Sequence, residues 1–201
     1  MFTKPSWLKL VFVGIAFSLA PATRAMAQTP KLQLQGTIEH VMSVLATIRN
    51  ADDIAKNKGL LEEILLTRFD FTEMARRSLG SQWNNLNGKE QEFVSAFMQF
   101  IENTYLGRLG SYRGEKIIYG SERVAQDFAD VDTRVVGGQG PAIDVLYRLH
   151  LIGTEWKVYD VVIDQVSLVA NYRSQFDRVL QTASLEELLK RLRAKGSGRQ
   201  S

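Results

Sequence analysis

Two histidines and no cysteine make up the whole stock of imidazole and thiol chemistry in this 201-residue chain. His40 and His150 fall in different elements, and neither sits in an H-x-x-x-H frame, so the spacing that holds a metal is absent. Without cysteine there is no thiolate ligand, no thiol nucleophile and no disulfide. The chain contains no G-x-S-x-G elbow, no Walker-type phosphate loop and no dinucleotide fingerprint. Gly137-Gly138-Gln139-Gly140 is rich in glycine, but no helix follows it, so it reads as a turn. Two carboxylate groupings remain. Asp160 and Asp164 lie four apart in a strand and so share a face, as an acid pair would; that face is the one expected to be wet, which leaves them solvated. Asp144 with Tyr147 is an acid-and-phenol pair that a lipid isomerase or hydrolase could use in an apolar pocket.

The elements that must position these groups separate by period. The first half is helical. Ile38, Val41, Met42, Leu45 and Ile48 recur at helical spacing across 37–48. A charged turn over 50–59, a short helix near 60–66 and a helix over 71–79 follow, with Gly80 as its stop. Asn87-Gly88 turns into the longest amphipathic helix, 89–109, with Phe93, Phe97, Ile101 and Tyr105 on one face and Gly110 at its end. The period then becomes two. Strands are expected over 115–119, 128–136, 142–151 and 156–163, joined by short turns into an antiparallel meander. A helix over 167–182 and a last one from the capping box Ser184-Leu185-Glu186-Glu187 to about residue 194 close the chain. The class is α+β: a curved four-stranded antiparallel sheet packed by helices from both ends of the chain. A sheet curled around a long helix leaves a cavity suited to small apolar molecules. An apolar groove that takes a partner peptide is the other binding reading.

Residues 1–27 have the layout of an export signal. Lys4 and Lys9 precede an apolar run over 10–20, Pro21 breaks it, and Ala25-Met26-Ala27 offers a cleavage site after Ala27. The run is too short to span a bilayer, which takes about 20 apolar residues. Loss of Lys4, Lys9 and Arg24 lowers Lys plus Arg from 25 to 22 against 22 Asp plus Glu. The remaining chain is therefore neutral overall, which removes the persistent basic surface a nucleic-acid binder needs. The basic cluster Lys190, Arg191, Arg193, Lys195 and Arg199 suits a solvated helix end, or docking to a partner or anionic lipid. Residues 28–195 read as one domain and 196–201 as a disordered tail, the whole acting as a monomer.

Several blocks then coincide in order and spacing with a known family. They are Phe69-Asp70-Phe71, Met74-Ala75-Arg76, Leu79-Gly80 and Trp83; Thr104-Tyr105, Arg108-Leu109, Tyr112 and Gly114-Glu115; Tyr147-Arg148-Leu149; the run from Trp156 to Asp164; Val166-Ser167-Leu168; and Asn171 to Phe176. From about Leu60 to Leu192 the chain resembles the MlaC, or toluene-tolerance, family of periplasmic phospholipid-binding proteins. It departs from the family at Gln165, where glycine is usual.

The resemblance implies a periplasmic carrier, not an enzyme. Such a protein has no cofactor beyond the phospholipid it carries. It exchanges lipid with an inner-membrane MCE-domain ABC transporter and an outer-membrane lipoprotein–porin complex, and so maintains outer-membrane lipid asymmetry. A related branch sits in hopanoid gene clusters, which leaves a hopanoid-type lipid open. With that implication, the apolar periodicity offers a wall: Phe97, Ile101 and Tyr105 from the long helix; Val145, Tyr147, Val158, Val161 and Ile163 from the sheet; and Val166, Leu168, Tyr172 and Phe176 from the helix that follows. Periodicity alone does not separate such a wall from plain core. Arg173, with its planar fork, is the candidate to meet a phosphate, or else to pair with Asp164 or Asp160.

Overall fold

The computed structural model describes residues 28–109, 114–137 and 140–196. The export signal 1–27, the stop at Gly110, the motif residue Tyr112, the middle of the Gly137–Gly140 turn and the tail after Gly196 lie outside them.

Among the described residues, six α-helices and five strands follow in chain order: α1 Pro30–Leu45, α2 Ala51–Arg68, α3 Phe71–Leu79, α4 Glu90–Leu109, β1 Lys116–Ala125, β2 Phe128–Val136, β3 Ile143–Ile152, β4 Glu155–Ile163, β5 Val166–Ser167, α5 Leu168–Leu180 and α6 Leu185–Gly196. α1 starts earlier than its apolar period indicates because Thr29 caps it, accepting from Leu32 N at 3.3 Å, and Pro30 opens the first turn. The charged segment expected to be a turn is instead the start of α2. Asn50 Oδ1 accepts from Asp53 N at 3.0 Å, and Asp52 and Asp53 suit the positive helix end. Asp70 caps α3 in the same way, and Gly80 stops it at φ +61° before a short 3-10 helix, Gly80–Asn85.

The sheet runs β1-β2-β3-β4-β5, every pair antiparallel and each strand next to its sequence neighbour. It has five strands, not the expected four. Asp164 and Gln165, at φ +45° and +69°, form a tight turn that brings Val166–Ser167 back along the end of β4. β1 is longer than expected and carries a bulge between Tyr119 and Glu122.

Three apolar clusters hold the chain together. A helical cluster joins α3, α4, α5 and α6 around the rings of Phe93, Phe97, Tyr172 and Phe176. A second cluster covers one sheet face, with Leu34 of α1 lying on Val131, Leu149 and Val158. A third, Val44, Leu45, Leu61 and Ile64, binds α1 to α2. Phe69 and Leu168 each pack against both the helical and the sheet clusters.

Asp160 corrects the reading of the opposite sheet face as wet. It is only 3% exposed, because α5 packs back over the end of β4. One carboxylate oxygen accepts from Ser167 Oγ at 2.7 Å and from Arg148 Nη1 at 3.2 Å; the other accepts from Val169 N at 3.1 Å. Asp160 is thus a structural tie between sheet and helix. Asp164 stays exposed in the turn.

Candidate functional site: an apolar sheet face open at one end

The strand register fixes which side chains share the inner face. Successive rows across β2, β3 and β4 are Ala129–Leu149–Val158, Val131–Tyr147–Val161 and Thr133–Val145–Ile163. Val135–Ile143 follows at the end of the sheet, where Val166 of β5 pairs with Ile163. Coverage falls along this series. Val131, Leu149 and Val158 are fully buried beneath α1, Val135 and Ile163 are half-buried, and Ile143 and Val166 are 38% and 55% exposed. A continuous apolar ladder therefore runs from a closed end to an open one.

Two phenols stand midway. Tyr119 of β1 faces Thr133, and Tyr147 faces Val131 and Val161. Burial alone pushes the Tyr147 phenol up to about 12. Burial, then the charge of Glu39 and the neighbouring Tyr147, push Tyr119 up to about 12. The Tyr119 hydroxyl is sealed from solvent with no hydrogen-bond partner. Such a group costs about 1–3 kcal/mol relative to a satisfied one.

The thirteen wall candidates divide into two groups. Val145, Tyr147, Val158, Val161 and Ile163 lie together on the sheet face with Leu168 beside them. Phe97, Ile101, Tyr105, Tyr172 and Phe176 lie in the helical cluster, where Phe97 has rings on three sides and the Tyr105 and Tyr172 hydroxyls meet at 3.3 Å. Leu168 joins the groups. Val166 lies at the open end. Arg173 is exposed on α5 and lies over Gly80, so close that a Cβ there would come within 2.9 Å of its Nε. It does not pair with Asp160, whose carboxylate is taken by Arg148.

Sequence reasoning missed Leu34, Ile38, Phe69 and Tyr119 on or beside the sheet face. For Leu34 and Ile38 the Thr29-Pro30 start signal was available, since it extends α1 onto the sheet. Tyr119 alternates with Ile117 in a strand that the pattern cut short.

The acid-and-phenol pair is not assembled. Asp144 and Tyr147 are three residues apart on β3 and point to opposite faces. Asp144 is held by Arg134 through paired bonds of 2.5 and 3.0 Å, which keep its carboxyl below the usual range. His150 Nε2 lies 3.0 Å from Asp70 Oδ2 at the junction of β3 and α3, and His40 is exposed. Among the described residues no three His, Cys, Asp or Glu side chains group as metal ligands, and no helix is long and apolar enough to cross a membrane.

Fold and face together define an α+β protein that presents a half-covered apolar sheet beside an aromatic helical layer. The chain belongs to the MlaC family: the MlaC protein model matches residues 35–194. It is 25% identical over 198 residues to the intermembrane phospholipid transport system binding protein MlaC of Haemophilus influenzae, covering 94% of this chain and 91% of that one. It is 26% identical over 172 residues to the toluene tolerance protein ttg2D of Pseudomonas putida, covering 80% and 77%. In three dimensions it matches a phospholipid-binding protein from Ralstonia solanacearum, solved in complex with a phospholipid. That match has a TM-score of 0.73 at 23% identity and covers 85% of this chain and 98% of the other, a likeness of fold.

Proposed function

We propose that this protein is a periplasmic carrier that holds phospholipid acyl chains against the inner face of its sheet and leaves the headgroup near solvent. It moves lipid between the inner and outer membranes and serves the asymmetry of the outer one. An MCE-domain ABC transporter at the inner membrane and a lipoprotein–porin complex at the outer membrane are its exchange partners. The observation that carries this reading is the apolar ladder, closed at Leu149 and Val158 and open at Ile143 and Val166. A hydrocarbon tail can enter such a face from one end without a water-filled step. Membership of the MlaC family and the names of its relatives support the same reading.

The physics of the task fits these groups. An acyl chain in water costs about 0.8 kcal/mol per exposed methylene, so a two-chain lipid needs shelter to cross an aqueous space. A carrier must roughly match the bilayer, not exceed it, or release would stall. A face of valine, isoleucine and leucine with a few phenols does this with little selectivity for chain structure. Arg173 is the proposed phosphate contact; Arg173→Ala is then expected to lower retention of anionic lipid.

The test is native mass spectrometry and lipid extraction on protein purified from the periplasm of its expression host. A bound mass of phospholipid size, released as phospholipid on denaturation, is the expected result. Protein that is lipid-free in every preparation and takes up none from phospholipid vesicles would overturn the carrier reading. A polycyclic lipid without phosphate would overturn its phospholipid part.

A further inference from the structure

A cavity lies away from the sheet face, in the groove between α1 and the C-terminal half of α2. Its volume is about 330 Å³. One stripe of each helix lines it: Gln33, Thr37 and His40 from α1, and Glu63, Ile64 and Arg68 from α2. Arg68 is the unusual member. It is 7% exposed, yet it carries a full charge at any ordinary pH. Its Nε donates to Thr37 Oγ1 at 3.1 Å. Its Nη1 donates to Gln33 Oε1 at 2.6 Å and to the Trp156 carbonyl at 2.5 Å, and lies 3.4 Å from Glu155 Oε2. None of these bonds uses Nη2, and that nitrogen is not among the sealed, unpaired atoms of the interior.

The charge balance is also incomplete. Glu155 is the acid paired with Arg68; its side chain is 51% exposed and the contact is long. An exposed acid at that distance offsets little of the cost of burying a guanidinium. The groove therefore holds a buried cation with an unused donor, next to apolar wall from Leu32, Leu60 and Ile64. Glu63 is exposed and lines the same groove, which disfavours multiply charged anions there.

We propose that the α1–α2 groove is a binding site for a small monoanionic oxyanion, a carboxylate or a phosphodiester, attached to an apolar body. Nη2 of Arg68 takes the oxyanion, and Leu32, Leu60 and Ile64 take the apolar part. His40, exposed on the same stripe, stands beside the groove as a further donor. The site uses none of the thirteen wall residues, so it stands apart from the carrier reading.

Gly36 supplies the test. It lines the groove, and a Cβ built on it meets nothing within 4 Å. Gly36→Leu thus adds bulk to the groove at a position that makes none of the bonds of Arg68. Hexanoate and dimethyl phosphate are titrated into the isotope-labelled mature protein against matched chloride, following the Arg68 side-chain N–H signal by NMR and the Tm in parallel. A saturable shift of that signal with a rise in Tm is expected from at least one probe, weakened about tenfold or more in Gly36→Leu and unchanged in Val145→Trp. Response to hexanoate alone assigns a carboxylate ligand; response to dimethyl phosphate alone assigns a phosphodiester such as that of a lipid headgroup. A non-saturable response to both, with no rise in Tm, means the groove holds solvent only and overturns the proposal. Equal binding by Gly36→Leu and the parent overturns it too.

Discussion

Ser167 Oγ donates to Asp160 Oδ2 at 2.7 Å across the turn that joins β4 to α5. The same carboxylate accepts from Val169 N and Arg148 Nη1, so one buried acid fixes the helix start to the sheet. Asp160→Ala removes all three bonds and leaves Val169 N without its partner, while Ser167 Oγ still caps α5 at Ala170 N. Charge-assisted bonds of this kind make the expected loss about 2–4 kcal/mol, or a fall of roughly 5–10 °C in Tm. Asp160→Asn should lose less. Thermal unfolding followed by circular dichroism checks both; an unchanged Tm for Asp160→Ala would mean α5 is held by its apolar face alone.

Gln165 offers the opposite sign. It sits at φ +69° in the β4–β5 turn, in the left-handed region that costs a residue with a Cβ about 1–2 kcal/mol. Gln165→Gly relieves that strain at an entropic cost of about 0.5–1 kcal/mol in the unfolded chain. The net expectation is a gain of about 0.5–1 kcal/mol, read as a higher urea midpoint with an unchanged slope. A lower midpoint would show that the Gln165 side chain holds the turn.

The contrast between these two residues shows what the sequence could tell. Gln165 is legible because the strain is local and the family's usual glycine points to it. Asp160 is not. Alternation would put it on the face of Val158; a bulge in the β3–β4 pairing turns it to the other face, and only tertiary packing decides that α5 returns over that face. The same division holds elsewhere. The periods placed α3 and β2 to the residue and gave the class and strand order. They missed the first turns of α1 and α2, where caps and not apolar spacing mark the start. The inner face of β2 and β3 was readable from period two, but the bulge in β4 was not, and Phe97 and Phe176 share their apolar spacing with any wall residue and lie in an aromatic cluster that only packing reveals.

Acid stability should depend on Glu73. Hydrogen bonds from Arg76, partly opposed by burial, and then from Arg77 bring its carboxyl down from 4.5 to about 2. A depressed folded-state value means that its stabilising effect is complete above about pH 4.5 and is lost as pH falls towards 2. The arginines are half-exposed, so screening holds the effect to about 1 kcal/mol. Glu73→Gln should flatten that part of the pH–stability curve and leave its slope above pH 5 unchanged. An identical acid limb in the variant would assign it to other carboxylates.

The alkaline side tests the sheet face. Tyr119 and Tyr147 both ionise only near 12. A raised folded-state value for an acid that ionises to an anion means full stability below about pH 10, lost as pH climbs towards 12. Ultraviolet titration should therefore show late-ionising phenols that unfold the protein as they titrate, and Tyr147→Phe should remove one of them. Tyr119→Phe deletes an unpaired buried hydroxyl and should leave the Tm unchanged or raise it. A clear loss of stability in Tyr119→Phe would mean that the hydroxyl has a partner, such as an ordered water.

Filling the ladder tests its use directly. Val145 sits in the row between Tyr147 and the open end, with Thr133 and Ile163 on either side. Val145→Trp projects an indole along the path a tail would take. Overpacking here costs about 1–3 kcal/mol, which a chain of this size can survive. Lipid recovered per mole of folded protein should fall several-fold, while the far-ultraviolet spectrum stays that of the parent. Leu168→Trp, at the junction of the sheet and helical clusters, should act in the same direction. If both variants carry as much lipid as the parent, the tails lie elsewhere in the fold. Loss of lipid from Val145→Trp alone would confine them to the sheet side of Leu168.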